Sequence, residues 1–166
     1  MIEIRCGSIF DINAMAMVNP ANISLLQGSG LCGLIHKRAG RELENHCKTL
    51  GKRHVGDVVI TPSFQLEGVD WIIHACGPRW MGGNKGEADM LRQVYRNLFN
   101  ACVEAGITSV AIPAIATGIY HFPLQEATEI ALQQAIKYRD NPELRIVFVN
   151  ADPEKHEIYT KMYAMM

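Results

Sequence analysis

The chain has 166 residues, 48% of them hydrophobic, with 16 Lys and Arg against 17 Asp and Glu. A chain of this length forms one domain, here spanning residues 1–166, that buries roughly two thirds of its unfolded surface without staples. A formal net charge of -1 supplies no basic field for nucleic acid, and no apolar run approaches bilayer-spanning length, so a nucleic-acid or membrane partner is not expected.

The opening, MIEIRCGS, alternates apolar and polar residues and predicts a strand over Ile2–Cys6 rather than a signal peptide. Met15 to Asn19 is nearly continuously apolar and predicts a buried central strand. A glycine-opened helix follows and stops near Gly40, with Arg41 to Leu50 extending it before Gly51. Strands are expected over Val58–Thr61 and Trp71–Cys76, then a glycine-rich loop from Trp80 to Lys85. A long amphipathic helix runs from Glu87 to Ala105, with Leu91, Val94, Tyr95, Leu98 and Cys102 on one face. Ser109 to Pro113 predicts another buried strand, followed by the turn Ala114 to Pro123. A helix over Leu124–Tyr138, a strand over Arg145–Val149 and a helix over Pro153–Met165 complete the chain. Six strands alternating with helices imply a three-layer α/β/α domain with a mixed, largely parallel sheet, whose ligands sit at strand carboxyl ends.

The stretch Val18 to Gly40, VNPANISLLQGSGLCGLIHKRAG, carries the chemistry. Strand, glycine-rich turn and helix start together make an anion site, because unpaired amides at a helix N-terminus point outward with partial positive charge. A lone Gly-x-Gly-x-x-Gly also fits ordinary turn chemistry. A standard nicotinamide site is disfavoured: Pro20 to Gln27 separates strand from glycines, and the next strand ends in Thr61-Pro62-Ser63 without an acid. The five cysteines, odd in number and without Cys-x-x-Cys spacing, read as reduced thiols of a cytoplasmic protein. Cys32 near a helix start invites a nucleophile reading, but a free cysteine is more often a small buried hydrophobe. His36 with Cys32, and His74 with Cys76, lack zinc spacing, and neither metal nor cofactor is called for. His36 is expected to pack and hydrogen-bond behind the loop, Asn19 to stabilise the turn, and His121 to sit at a rim.

Three segments resemble the macrodomain family of ADP-ribose-binding modules. VNPANISLLQGSGLCGLIHKRAG is similar to its first loop, IPAIATGIYHFP to its diphosphate loop, and IIHACGPRWMGG, Ile72 to Gly83, to its His-x-x-Gly-Pro-x-Trp segment. The resemblance implies that amides of Gly28, Ser29, Gly30 and Leu31 approach the distal ribose and phosphates, with Cys32 beside them. Ala116, Thr117, Gly118, Ile119 and Tyr120 would wrap the diphosphate from the other side. Asn22 would orient the distal ribose and Tyr120 lie against it, which makes these two the catalytic candidates. Ser8 and Ile9 in the first turn, and Asn150 and Ala151 after the sixth strand, would line the adenine end.

Three positions depart from the family pattern. Ser8 stands where an Asp usually accepts from the adenine amino group, Ala151 where an aromatic usually stacks, and Cys32 where a hydrolytic branch carries an Asp. The implied activity is hydrolysis of ADP-ribose esters such as O-acetyl-ADP-ribose, or of mono-ADP-ribosylated proteins. The alternative is a non-catalytic reader of ADP-ribose or a related nucleoside diphosphate.

Overall fold

The computed structural model describes all 166 residues. Six strands, β1 (Ile2–Cys6), β2 (Ala16–Ala21), β3 (Val58–Pro62), β4 (Trp71–Cys76), β5 (Ser109–Ile112) and β6 (Arg145–Asn150), form one sheet in the order β1-β6-β5-β2-β4-β3. Every pairing is parallel except β3 with β4. Five helices cover the two faces: α1 (Gly30–Ala39), α2 (Arg41–Leu50), α3 (Glu87–Ala105), α4 (Leu124–Ala135) and α5 (Pro153–Ala164). The three-layer α/β/α expectation holds.

Burial follows sheet position. The apolar runs of β2, β4, β5 and β6 are buried on both faces, as central parallel strands must be, whereas β1 and β3 at the edges are largely half-buried or exposed. On one face Ile35, Ala39, Leu43 and Cys47 of α1 and α2 pack on Met17, Ile72 and Val147. On the other, Leu91, Tyr95 and Phe99 of α3, Ala131 of α4 and Tyr159 of α5 pack on Val18, Ile73 and Phe148. No helix is long and apolar enough to cross a membrane.

Local backbone chemistry moves some boundaries. Gly40, at φ +88°, makes Arg41–Leu50 a separate helix rather than an extension of α1. The helix predicted to reach Tyr138 ends at Ala135, and its last turn tightens to a 3-10 turn over Ile136–Tyr138. β2 runs past Asn19 through Pro20 to Ala21. Proline is tolerated because β2 has already parted from β5 after Met17, and only β4 pairs alongside.

Candidate functional site: a crevice between two loops

β2 and β5 are paired only through Ala16 with Val110 and Met17 with Ala111. Beyond that point the chain after β2 goes to α1 on one face and the chain after β5 goes to α4 on the other. Such a switch point leaves a crevice outside the strand carboxyl ends. Here it is a cavity of about 580 Å³.

The first wall is the loop from Asn22 to Ser29. Leu25, fully buried at φ +60°, anchors it to the core. The Asn22 side chain shapes it from within: Nδ2 donates to Leu26 O at 2.9 Å, and Oδ1 accepts from Ser24 N at 3.0 Å and Leu26 N at 3.3 Å. Both acceptor sites of this amide are therefore filled, and one N–H remains to donate. The turn-stabilising task expected of Asn19 thus falls to Asn22. Asn19 is instead fully buried, where its Nδ2 meets His74 Nδ1 at 3.0 Å.

The glycines let loop and helix close up. A Cβ on Gly33 would stand 2.5 Å from Gly28 O, so no other residue fits there without moving the loop. Ser29 occupies the N-cap of α1 without a side-chain cap bond, and the first turn holds no acid. The amides from Gly28 to Cys32 donate to no main-chain carbonyl. They form an uncompensated positive end facing the crevice.

The second wall, Pro113 to Pro123, crosses from the β5 side. Ala116 and His121 adopt φ of +68° and +59°, bending the chain so that Phe122 N donates to Ala116 O at 3.0 Å and His121 N to Gly118 O at 3.0 Å. The amides of Gly118, Ile119 and Tyr120 are left without main-chain acceptors. A Cβ on Gly118 would meet nothing within 4 Å. Its absence leaves the groove open.

This turn is braced from behind. Trp80 N donates to Tyr120 O at 2.8 Å, the Trp80 ring lies 4.9 Å from Phe122, and the Arg79 guanidinium stands 5.4 Å from the Tyr120 ring centre. Glu87 in turn holds the loop that carries Trp80. Its buried carboxylate accepts from the amides of Met81 at 2.9 Å, Gly83 at 2.9 Å and Lys85 at 2.6 Å. Burial alone would raise its pKa, but the amide donors outweigh this and bring it down to about 2.

Of the residues singled out from sequence, Ser8, Ile9, Asn22, Gly28, Ser29, Gly30, Leu31, Cys32, Ala116, Gly118, Ile119, Tyr120, Asn150 and Ala151 all line the crevice. Thr117 does not. Its hydroxyl donates to Ala114 O at 2.9 Å and accepts from Lys155 Nζ at 3.2 Å, which ties it into the loop. His121 is exposed and lies outside the lining. Ser8 Oγ already accepts from Phe10 N at 3.2 Å as the cap of a short 3-10 turn.

Lys155, which sequence reasoning passed over, is the only cation of the lining, and Asp152 the only acid. A signal existed: Lys155 is the third residue of α5, where the helix dipole disfavours a cation, so its placement calls for another reason. Phe10 and Leu34 also line the crevice without having been singled out.

Behind the first loop lies a neutral polar layer. His74 is fully buried between Asn19 and Thr61, whose Oγ1 meets Nε2 at 2.9 Å; burial, with His36 and His46 nearby, pushes its pKa down to about 3. His36 is buried with neither ring nitrogen bonded, so the expected hydrogen bond is missing. Burial lowers its pKa as well, against a raising influence from Glu44. Burial raises the Cys32 thiol above its ordinary value despite hydrogen-bonding partners that would lower it. A protonated thiol is a poor nucleophile, so the helix start does not activate Cys32.

Fold and site together define a three-layer α/β module with a crevice at its switch point, walled by two loops whose amides lack main-chain acceptors. Residues 18–131 match the family model described as Macro domain, and the chain belongs to that family. It is 40% identical over 168 residues to a Macro domain-containing protein of Mesorhizobium japonicum, covering 99% of this chain and 94% of that one. It is 38% identical over 168 residues to an O-acetyl-ADP-ribose deacetylase of Klebsiella pneumoniae, covering 98% and 95%. Among solved structures, a point mutant of the Oceanobacillus iheyensis macrodomain with ADPR superposes with a TM-score of 0.93 at 32% identity, covering 99% of this chain and 92% of that one. The Trypanosoma brucei macrodomain in complex with ADP-ribose gives 0.89 at 30% identity, covering 97% and 68%.

Proposed function

We propose that the crevice binds ADP-ribose and that the protein hydrolyses ADP-ribose esters such as O-acetyl-ADP-ribose, or mono-ADP-ribosyl links on proteins. The observation that carries this reading is the pair of facing loops whose amides, Ser29 to Cys32 and Gly118 to Tyr120, donate to no main-chain carbonyl. A pyrophosphate between them meets preorganised donors from both sides, which costs no reorganisation on binding. Lys155, the only cation of the lining, adds a positive charge beside the second loop. Asn22 donates its remaining N–H to the distal ribose, and Tyr120 closes over it. The Asn22 oxygen is already filled by Ser24 N and Leu26 N, so it does not accept from the ribose.

Catalysis here rests on placement rather than on a side-chain base, since the one carboxylate of the lining, Asp152, is committed to Glu154 N as the N-cap of α5. A water held against the substrate's phosphate attacks the ester carbonyl, its proton passes through the phosphate to the ribose oxygen, and the acyl–oxygen bond breaks to release acid and ADP-ribose. The same observation favours a second reading, a binder without turnover. A time course with O-acetyl-ADP-ribose separates them. Acid released above background, and lost on adding excess ADP-ribose, supports the hydrolase; binding without release leaves the reader, and absence of binding sinks both.

A further inference from the structure

One charged side chain of the crevice is only partly explained by a pyrophosphate. α5 starts just beyond the end of β6, and Lys155 in its first turn reaches across to the second loop, where Nζ donates to Thr117 Oγ1 at 3.2 Å. Thr117 is a neutral partner, and its own proton goes to Ala114 O. No carboxylate lies within ion-pair distance of the ammonium. Asp152, the one acid of the lining, accepts from Glu154 N at 2.9 Å instead. Two of the three ammonium N–H bonds are therefore uncommitted, on a half-buried side chain at a helix start whose dipole disfavours a cation. An anion beside Nζ would offset that cost and use both donors.

Position decides which anion this is. The free amides of the second loop begin one residue past Thr117, at Gly118, and continue to Tyr120. The pyrophosphate they receive lies over the ends of β5 and β2, whereas Lys155 follows the next strand of the sheet, β6, about one inter-strand spacing or roughly 5 Å to the side. The base end, marked by Ser8, Ile9, Asn150 and Ala151, lies further in the same direction, over β6 and β1. In an ADP-ribose laid along this line, the sugar that joins base to pyrophosphate comes level with Lys155. A plain hydroxyl of that sugar needs only a neutral donor, and a full positive charge there suits a second phosphate.

We infer that Lys155 selects ADP-ribose that carries a phosphate ester on its adenosine ribose, at the 2′ or the 3′ hydroxyl. The two free N–H groups donate to that phosphate while the third keeps Thr117, and because the side chain is only half-buried the outer phosphate oxygens stay in water. This inference rests on the ADP-ribose reading above and adds to it the class of ligand.

Titration calorimetry at one ionic strength, with ADP-ribose, its 2′-phosphate and its 3′-phosphate, tests this. At least one phosphorylated ligand should bind the wild-type protein about tenfold or more tightly than ADP-ribose. Lys155→Gln keeps a donor but no charge, so it should bring that ratio to about one or below, and Lys155→Arg should retain it. Added salt should shrink the wild-type ratio. The inference is overturned if neither phosphorylated ligand outbinds ADP-ribose. It is equally overturned if Lys155→Gln weakens all three ligands by the same factor, since Lys155 would then serve the pyrophosphate alone. Failure of the wild type to bind any of the three instead overturns the ADP-ribose reading.

Discussion

Gly118 and Cys32 are the two residues whose substitution best separates binding from chemistry. A Cβ at Gly118 meets nothing within 4 Å and needs no unusual φ, so the backbone there accepts a side chain. Gly118→Glu is expected to keep its circular dichroism and melting curve while losing ADP-ribose affinity by about 100-fold or more in calorimetry, because a carboxylate then occupies an anion groove. Retained affinity would place the ligand elsewhere. At Cys32 the expectation is the reverse. Its thiol is held protonated by burial, so Cys32→Ala should leave ester hydrolysis within about twofold of wild type. A loss of activity in that variant, with binding intact, would restore the thiol to the mechanism.

At the level of elements, α1 and its loop are held together by the missing side chain of Gly33. Alanine there puts a Cβ at 2.5 Å from Gly28 O, so Gly33→Ala is expected to destabilise the fold by about 1–3 kcal/mol in urea titration. The same shift displaces the amides of the first loop, and binding should weaken with it. The second loop depends on a more remote peg. Glu87 fixes the 81–85 segment through three amides, and that segment directly follows Trp80, which bonds Tyr120 and packs on Phe122. Glu87→Ala should lower the melting temperature and expose the loop around Met81 to limited proteolysis; a loop as resistant as wild type would show that Trp80 holds it unaided.

Across the whole molecule, acid stability follows from the buried histidine of β4. In the fold the His74 pKa lies at about 3, below its ordinary 6.5, so between those values the unfolded chain binds the extra proton. Stability is then fully present above pH 6.5 and falls as the pH drops toward 3, by about 1.4 kcal/mol per pH unit for one group. Glu87 follows the same sign over its own window. Its contribution is present above 4.5 and lost toward 2. Denaturant titrations from pH 7.5 to 4 should show this loss, and His74→Gln, which keeps an amide between Asn19 and Thr61, should flatten the part above pH 5. An equally steep curve in that variant would move the acid sensitivity to His36.

The order of strands and helices, their apolar faces and the positions of both glycine-rich bends were legible in the sequence, because periodicity and chain punctuation are local properties. Of the residues that the family resemblance singled out for the site, every one except Thr117 lies in the lining. What the sequence could not decide was which of several polar groups would be satisfied internally. Asn22 turned out to hold the loop that Asn19 was expected to hold, Thr117 turned inward, and Lys155 turned toward the crevice. Asn150 was left with an unpaired amide beside a Ser8 already in use. Hydrogen-bond partners of this kind come from segments far apart in the chain, so only their meeting in three dimensions determines which donors and acceptors remain for a ligand.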